Sequence, residues 1–389
     1  MSNAIEDAAA GAEALRRGDA LQARALLQRA VESGRGDATA MLGLARACKA
    51  LADEKGLAAA LDRLLAAEPR NIPGLILRAD SFAAAGDTRS ASSFYLAAIR
   101  AAPPAAQTPP ELAPELLRAQ QMCDRYAQEY KDYLSRSLAS KGFDARRSSP
   151  RFAQSLDIVL GRKRIYLQQP RYYYFPGLPQ IQFYERKDFP WMDQLEAATD
   201  DIRDELIEVL KDEGAFHPYV TGDANRPRKE QMGMLNNPAW SAFFLVKNGD
   251  RVPENAARCP RTMRALEHAP LAHVPYRSPS ILFSLLKPGA HIPPHNGLVN
   301  TRLVCHLPVL VPGKCDFRVG NDTREWEYGK AWAFDDTMEH EAWNRTDQTR
   351  VVLLFDIWRP ELTEEERQLV VSLFEAIDAH SGKRPDWEI

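Results

Sequence analysis

The sequence predicts a two-part chain, with an all-α repeat ahead of a β-rich barrel or jelly roll. Three observations carry this. Up to about residue 105, apolar residues fall at helical spacing and the pattern itself recurs every 34 residues. A proline-rich break, APPAAQTPPELAP (102–114), follows. Beyond about residue 150, aromatics and prolines rise, and short apolar runs alternate with turn signals. A chain of 389 residues is too long for one ordinary core. The expected division is a repeat domain at 1–105, a linker and capping helix at 106–150, and a second domain at 151–389.

In the first part, Gly18, Ala52 and Gly86 lie 34 apart, as do Ala23, Leu57 and Ala91, and Ala30, Leu64 and Ala98. Pro69 and Pro103 keep the same spacing. Small residues at these places let antiparallel helices pack closely, and glycine serves the turn between them. This is the spacing of tetratricopeptide repeats, so an all-α tetratricopeptide-like solenoid is expected, with a concave face for extended peptide. A generic alanine-rich bundle is the competing reading, and the four registering positions favour the repeat. After the break, ELLRAQQMCDRYAQEYKDYLSRSLASKGF is amphipathic and is expected to cap the solenoid.

In the second part, WMDQLEAATDDIRDELIEVLKD has helical period with acidic early turns. SAFFLVKNGD, SILFSLLKPGAHIPPHNG, TRLVCHLPVLVPGK, CDFRVGND, REWEYGKAWAFDD and TRVVLLFDIWRP then read as strands. ELTEEERQLVVSLFEAIDAH returns to a helix. Together these predict a double-stranded β-helix of the jelly-roll or cupin-like kind with flanking helices.

Composition bounds the function. A net charge of −3 and a pI near 6.3 give no electrostatic basis for nucleic acid or an anionic membrane. The first 110 residues hold thirteen Lys/Arg and twelve Asp/Glu, so no basic half is hidden by the average. Cys48, Cys123, Cys259, Cys305 and Cys315 are odd in number and scattered, without a CxxC. No signal peptide or apolar anchor is read at the N-terminus, so a cytoplasmic protein is expected, without integral membrane association.

The chemistry gathers in HIPPHNGLVNTRLVCH (291–306), which holds three of the eight histidines. His295 is placed at a strand start and His340 at a later strand end, in FDDTMEHEAWN. A double-stranded β-helix brings such strand ends together at its mouth, where imidazoles suit Fe(II). Arg350, ten residues beyond His340, would offer a guanidinium fork to a carboxylate deep in the barrel. Singly, a strand histidine, a strand arginine or an acidic turn carries little weight; their combination points to a metal site.

On these residues the chain resembles the aspartyl/asparaginyl β-hydroxylase family of Fe(II)/2-oxoglutarate dioxygenases from about 170 to 365. The carrying stretches are SLLKPGAHIPPHNGLVNTRLVCHLPV (284–309), WEYGKAWAFDDTMEHEAWN (326–344) and RVVLLFDIWRPELT (350–363). The resemblance also extends to YFPGLPQIQFYERKDFPW and LEAATDDIRDEL, and repeats of the tetratricopeptide kind precede the domain in this family.

The resemblance implies iron held by His295 and His340, with Gly297 where related enzymes place a third, carboxylate ligand. It implies 2-oxoglutarate on Arg350 with Ser284 and His306, O2 as the other cosubstrate, and Arg302 facing the substrate. The implied activity is hydroxylation of the β-carbon of Asp- or Asn-type residues in a peptide or protein, which the repeats would present. Val304 stands where mammalian members carry a second arginine, and the cysteine pair that they carry in the loop matching NAARCPRTM is absent here, near Ala257 and at Met263, with an unmatched Cys259. The first weakens the case for an Asp or Asn side chain held between two arginines. The second fits a reducing compartment and not secreted, disulfide-rich substrates. A small molecule or lipid acyl chain is the alternative, since a lipid A 2-hydroxylase branch resembles this domain too. A non-catalytic scaffold is the remaining alternative, and retention of His295, His340, Arg350 and Ser284 argues against it. Because such chemistry needs no general base, Asp335, Asp336, Glu339 and Glu341 are expected as turn and surface residues, and His291 as a structural neighbour.

Overall fold

The computed structural model describes residues 3–34, 36–104, 107–221 and 233–381, and the expected 105/106 boundary lies outside them. The chain divides into two units, Met1–Leu160 and Gly161–Ile389.

The first unit is helical. Six helices pair in sequence: α1 (Asn3–Arg16) with α2 (Ala20–Glu32), α3 (Ala38–Ala50) with α4 (Glu54–Ala67), and α5 (Ile72–Ala84) with α6 (Thr88–Ala101). The 34-residue period has a local cause. Gly18, Ala52 and Gly86 each take a left-handed φ, of 81°, 54° and 78°, which ends the first helix of every pair. The next residue is Asp19, Asp53 or Asp87, whose carboxylate accepts the backbone N–H three residues on at 2.9, 2.9 and 3.0 Å. That bond caps the second helix. Ala23, Leu57 and Ala91, and Ala30, Leu64 and Ala98, are all buried between the helices. Helix α7 (Ala113–Ala139) packs on α6, and α8 (Pro150–Val159) follows. Arg118 of α7 pairs with Asp80 of α5 at 2.9 Å, and Asp80 also accepts from the Tyr95 hydroxyl at 2.6 Å.

The second unit opens with an irregular segment and the helices α9 (Met192–Ala197) and α10 (Thr199–Leu210). The expected single helix is interrupted at Ala198, between α9 and α10. Strands β1 (His217–Pro218), β2 (Trp240–Lys247) and β3 (Asp250–Arg251) lead to α11 (Pro253–Arg258) and α12 (Pro260–Ala265). Then come β4 (Ile281–Leu286), β5 (His291–His295), β6 (Arg302–Leu310), β7 (Cys315–Val319), β8 (Asp322–Glu325), β9 (Trp332–Phe334), β10 (His340–Asn344) and β11 (Arg350–Trp358), before the final helix α13 (Glu364–Ser381).

Among the described residues the strands form two antiparallel sheets. The larger runs β1-β2-β4-β11-β6-β9, with β3 on β2, and the smaller runs β5-β10-β7-β8. Strand β5 carries Pro293 and Pro294 and lies at a sheet edge, where a missing N–H costs no ladder bond.

Side-chain parity builds the layers. Along β6, Leu303, Cys305, Leu307 and Val309 join β11 residues Val351, Leu353, Phe355 and Ile357 in a core shared with α9 and α10. The opposite faces supply Val304 and Val352 to a second core, shared with Ile292, Phe317, Val319 and Ala342 of the smaller sheet. Polar residues of the same parity therefore point between the sheets.

The two histidines sit at the opposite strand ends from those expected: His295 closes β5 and His340 opens β10, while Arg350 opens β11 as its strand run suggests. The acidic expectation also needs correction. Asp335 and Asp336 are buried because the β9–β10 turn passes through the interior, and Glu341 is buried within β10, where Arg318 and His291 bond to it. Asp335 accepts from Arg359 at 2.8 Å and from Gln168 at 2.6 Å, and Arg359 donates to the Pro179 carbonyl at 2.6 Å. These bonds fasten the irregular segment to the turn that leads into His340.

Arg359 and Asp335 are both fully buried, so removing one partner strands the other's charge. Arg359→Leu is expected to cost about 3–5 kcal/mol, measured by urea unfolding of the full chain.

Candidate functional site

Strands β5 and β10 are antiparallel neighbours in a register that sets His340 opposite His295. Their ring centroids are 4.0 Å apart. Each ring is anchored in the same way. His295 Nδ1–H donates to the Pro293 carbonyl at 2.8 Å, and His340 Nδ1–H to the Met338 carbonyl at 3.0 Å. A carbonyl only accepts, so the proton lies on Nδ1 and the lone pair on Nε2. Burial pushes both imidazoles below their ordinary pKa, and His340 further, since His295 also faces it. Both rings are neutral donors near neutral pH.

Gly297 has no side chain for a steric reason visible here. A Cβ at that position would lie 2.1 Å from Asp336 Oδ2. Asp336 enters from the β9–β10 turn, and its carbonyl accepts the Gly297 N–H at 2.6 Å. Its Oδ2 accepts from Arg302 Nη2 at 3.0 Å, while its buried Oδ1 has no partner. Burial outweighs Arg302 and lifts this carboxyl to about 7. Arg302 is gripped a second time, by Asp356 of β11.

Arg350 differs from the other buried arginines. Only 1% of it is exposed, yet among the described residues no carboxylate pairs with it. Its Nη1 donates to the Ser284 carbonyl at 3.2 Å, and its guanidinium carbon lies 4.4 Å from the centre of the Trp326 ring. Its Nε has no partner. Burial without a counter-charge brings it down to about 10.

His306 lies between Phe317 and Phe334, at 5.0 and 4.8 Å, with an unpartnered Nδ1. Burial, and then Arg350, depress its pKa strongly. The Ser284 hydroxyl accepts from Trp240 Nε1 at 3.2 Å.

A cavity of about 80 Å³ joins Ser284, His295, Arg302, His306, His340 and Arg350, so all six residues singled out in the sequence line one space. His291 is outside it, stacked on Trp343 and bonded to Glu341 at 2.9 Å. The sequence reading missed Asp356 and treated Asp336 as surface, yet both line the cavity. Strand parity held the signal for Asp356, which is six residues from Arg350 and so on the same face of β11. Among the described residues, no three His, Cys, Asp or Glu form a metal cluster, so the pair of imidazoles stands as a two-residue donor set.

Residues 196–360 match the family model described as Aspartyl/Asparaginyl beta-hydroxylase. The chain is 36% identical over 187 residues to the ornithine lipid ester-linked acyl 2-hydroxylase of Rhizobium tropici, covering 47% of this chain and 62% of that protein. It is 36% identical over 170 residues to the aspartyl/asparaginyl beta-hydroxylase of Homo sapiens, covering 43% of this chain and 21% of that protein. The human aspartate beta-hydroxylase domain-containing protein 2 is 30% identical over 212 residues, at 54% and 55% coverage. The matched regions thus span less than two thirds of each of these relatives.

The close approach at Gly297 predicts strong coupling. Gly297→Asp is expected to destabilise the chain by about 1–3 kcal/mol through overpacking, read as a lower thermal midpoint. Adding Asp336→Gly should recover most of that loss, where independent sites would simply add.

Proposed function

The second unit carries a domain of the aspartyl/asparaginyl β-hydroxylase family, and from that premise we propose an Fe(II)/2-oxoglutarate-dependent dioxygenase that hydroxylates a C–H bond. The observation that carries the reading is the pairing, within one cavity, of two neutral imidazoles with a buried guanidinium that has no counter-charge.

His295 and His340 present Nε2 lone pairs, fixed by their Nδ1–H bonds, and would hold the metal. Arg350 meets the requirement for an anion, because a buried cation without a partner is costly and a carboxylate relieves it. The far carboxylate of 2-oxoglutarate fits that role, with the Ser284 hydroxyl beside it. His306, neutral and set between aromatic rings, offers a hydrogen bond without a competing charge. Phe317, Phe334 and Trp326 keep this end dry, which strengthens the charge pairing. When bound, iron(II) with 2-oxoglutarate and O2 supplies the oxidation that replaces C–H by C–OH, releasing succinate and CO2.

Under this reading the two facing sheets form a double-stranded β-helix and the helix pairs a tetratricopeptide-like solenoid. The substrate is an Asp- or Asn-type residue of a peptide or protein, and the solenoid delivers it or a partner. A second reading, an acyl chain as substrate, draws on Val304, which puts an apolar wall beside Arg302, and on the acyl 2-hydroxylase relative. Five buried, unbonded cysteines support a reducing, cytoplasmic setting.

Anaerobic addition of Fe(II) and 2-oxoglutarate to the purified chain is expected to give a visible charge-transfer band. His340→Ala should abolish it, and Arg350→Ala should raise the 2-oxoglutarate requirement by at least about tenfold, the loss of one charge-assisted pair. A full-strength band in His340→Ala would refute the assignment.

A further inference from the structure

Arg302 and His306 share one face of β6, four residues and about 13 Å of strand apart. Arg302 therefore belongs to the end of the cavity away from Arg350. At that end its positive charge is already spoken for. Nη1 is bonded to Asp356 and Nη2 to Asp336, the latter at 3.0 Å. Asp356 is held in turn by the Ser280 backbone N–H at 2.9 Å, so it is fixed whether or not a ligand is present. Arg277, the other guanidinium lining this end, forms a two-pronged pair with Asp378 at 2.6 and 2.6 Å. Even when Asp336 carries a proton, Asp356 alone cancels Arg302. Between Arg302 and His306 the lining residue is Val304, which offers no charge.

We propose that the group seated at the Arg302 end is uncharged, a carboxamide or ester carbonyl and not a carboxylate, and that Asp356 sets this choice. This rests on the hydroxylase reading and narrows its substrate. An incoming carboxylate would lose its hydration and meet a cation whose charge Asp356 already cancels, with Asp336 adding a second like charge whenever it is ionised. A carbonyl oxygen accepts from the same guanidinium without adding charge. The cavity then has one end that demands an anion, at Arg350, and one that refuses it, at Arg302. A dicarboxylate cosubstrate is thereby kept from the substrate end. Asparagine side chains and ester-linked acyl chains share the chemistry, and the probes separate the two sources.

The test uses the full chain loaded anaerobically with Fe(II) and 2-oxoglutarate at pH 7.5. Absence of the band would sink the hydroxylase reading itself, before any probe is added. With the band present, its perturbation is titrated with two matched pairs: N-acetyl-asparagine methylamide against N-acetyl-aspartate methylamide, and methyl octanoate against octanoate. The uncharged member of a pair is expected to act at a concentration at least about tenfold lower. Preference within the amide pair assigns a peptide source, and within the ester pair an acyl source. Asp356→Asn, which releases Arg302, should shrink the ratio at least about threefold, while Asp356→Glu should keep it. Equal or better action of the acid in wild type overturns the proposal, as does a ratio unmoved in Asp356→Asn.

Discussion

In the smaller sheet, His340 lies directly across an antiparallel ladder from His295, and the 4.0 Å between their rings depends on that register. A slip of one residue would turn each ring to the other face, because side chains alternate along a strand. The larger sheet obeys the same rule. Ser284 pairs with Val352, and His306 with Leu354, and the residues of β4, β6 and β11 that line the cavity, among them Ser284, Arg302, His306, Arg350 and Asp356, are all even-numbered. The odd-numbered residues build the apolar core against the helices. Site and core are thus two faces of the same strands, and the packing of one holds the geometry of the other.

Buried arginines separate structural from functional charge. Arg359 has Asp335, Arg277 has Asp378 and Arg302 has two carboxylates, whereas Arg350 has none among the described residues. A fold that supplies counter-charges to three guanidiniums and withholds one leaves a defined place for an anion from outside. Arg359 and Asp335 act indirectly. They tie the turn between β9 and β10 to residues near 168 and 179, and that turn delivers Asp336 and His340.

Much of this was legible in the sequence because periodicity is local. The recurrence of Gly18, Ala52 and Gly86 is a left-handed turn repeated, and the aspartate after each is a helix cap. His295, His340 and Arg350 were legible as strand-end residues, although the ends of the two histidines were inverted, since antiparallel pairing sets strand limits by partners distant in sequence. Asp336 was not legible. FDDTMEH reads as an exposed acidic turn, and only the distant Gly297, Arg302 and Gln168 explain why it runs through the interior. Asp356 drew no attention in the sequence, and its parity on β11 places it beside Arg302.

Burial acts on the cavity groups in one direction. It lowers the imidazoles, raises Asp336 to about 7 and brings Arg350 down to about 10, each toward its neutral form. In a site that disfavours its own charges in this way, the unpaired Arg350 is the group that an added anion relieves most. Under the proposed reading, the two neutral imidazoles would hold a divalent cation and the unpaired guanidinium of Arg350 would take the far carboxylate of a dianionic cosubstrate. The Arg302 end already holds its own counter-charge in Asp356, with Asp336 beside it. A further charge there would have no partner, so under that reading the electrostatics that favour an anion at Arg350 also shape what binds next to it.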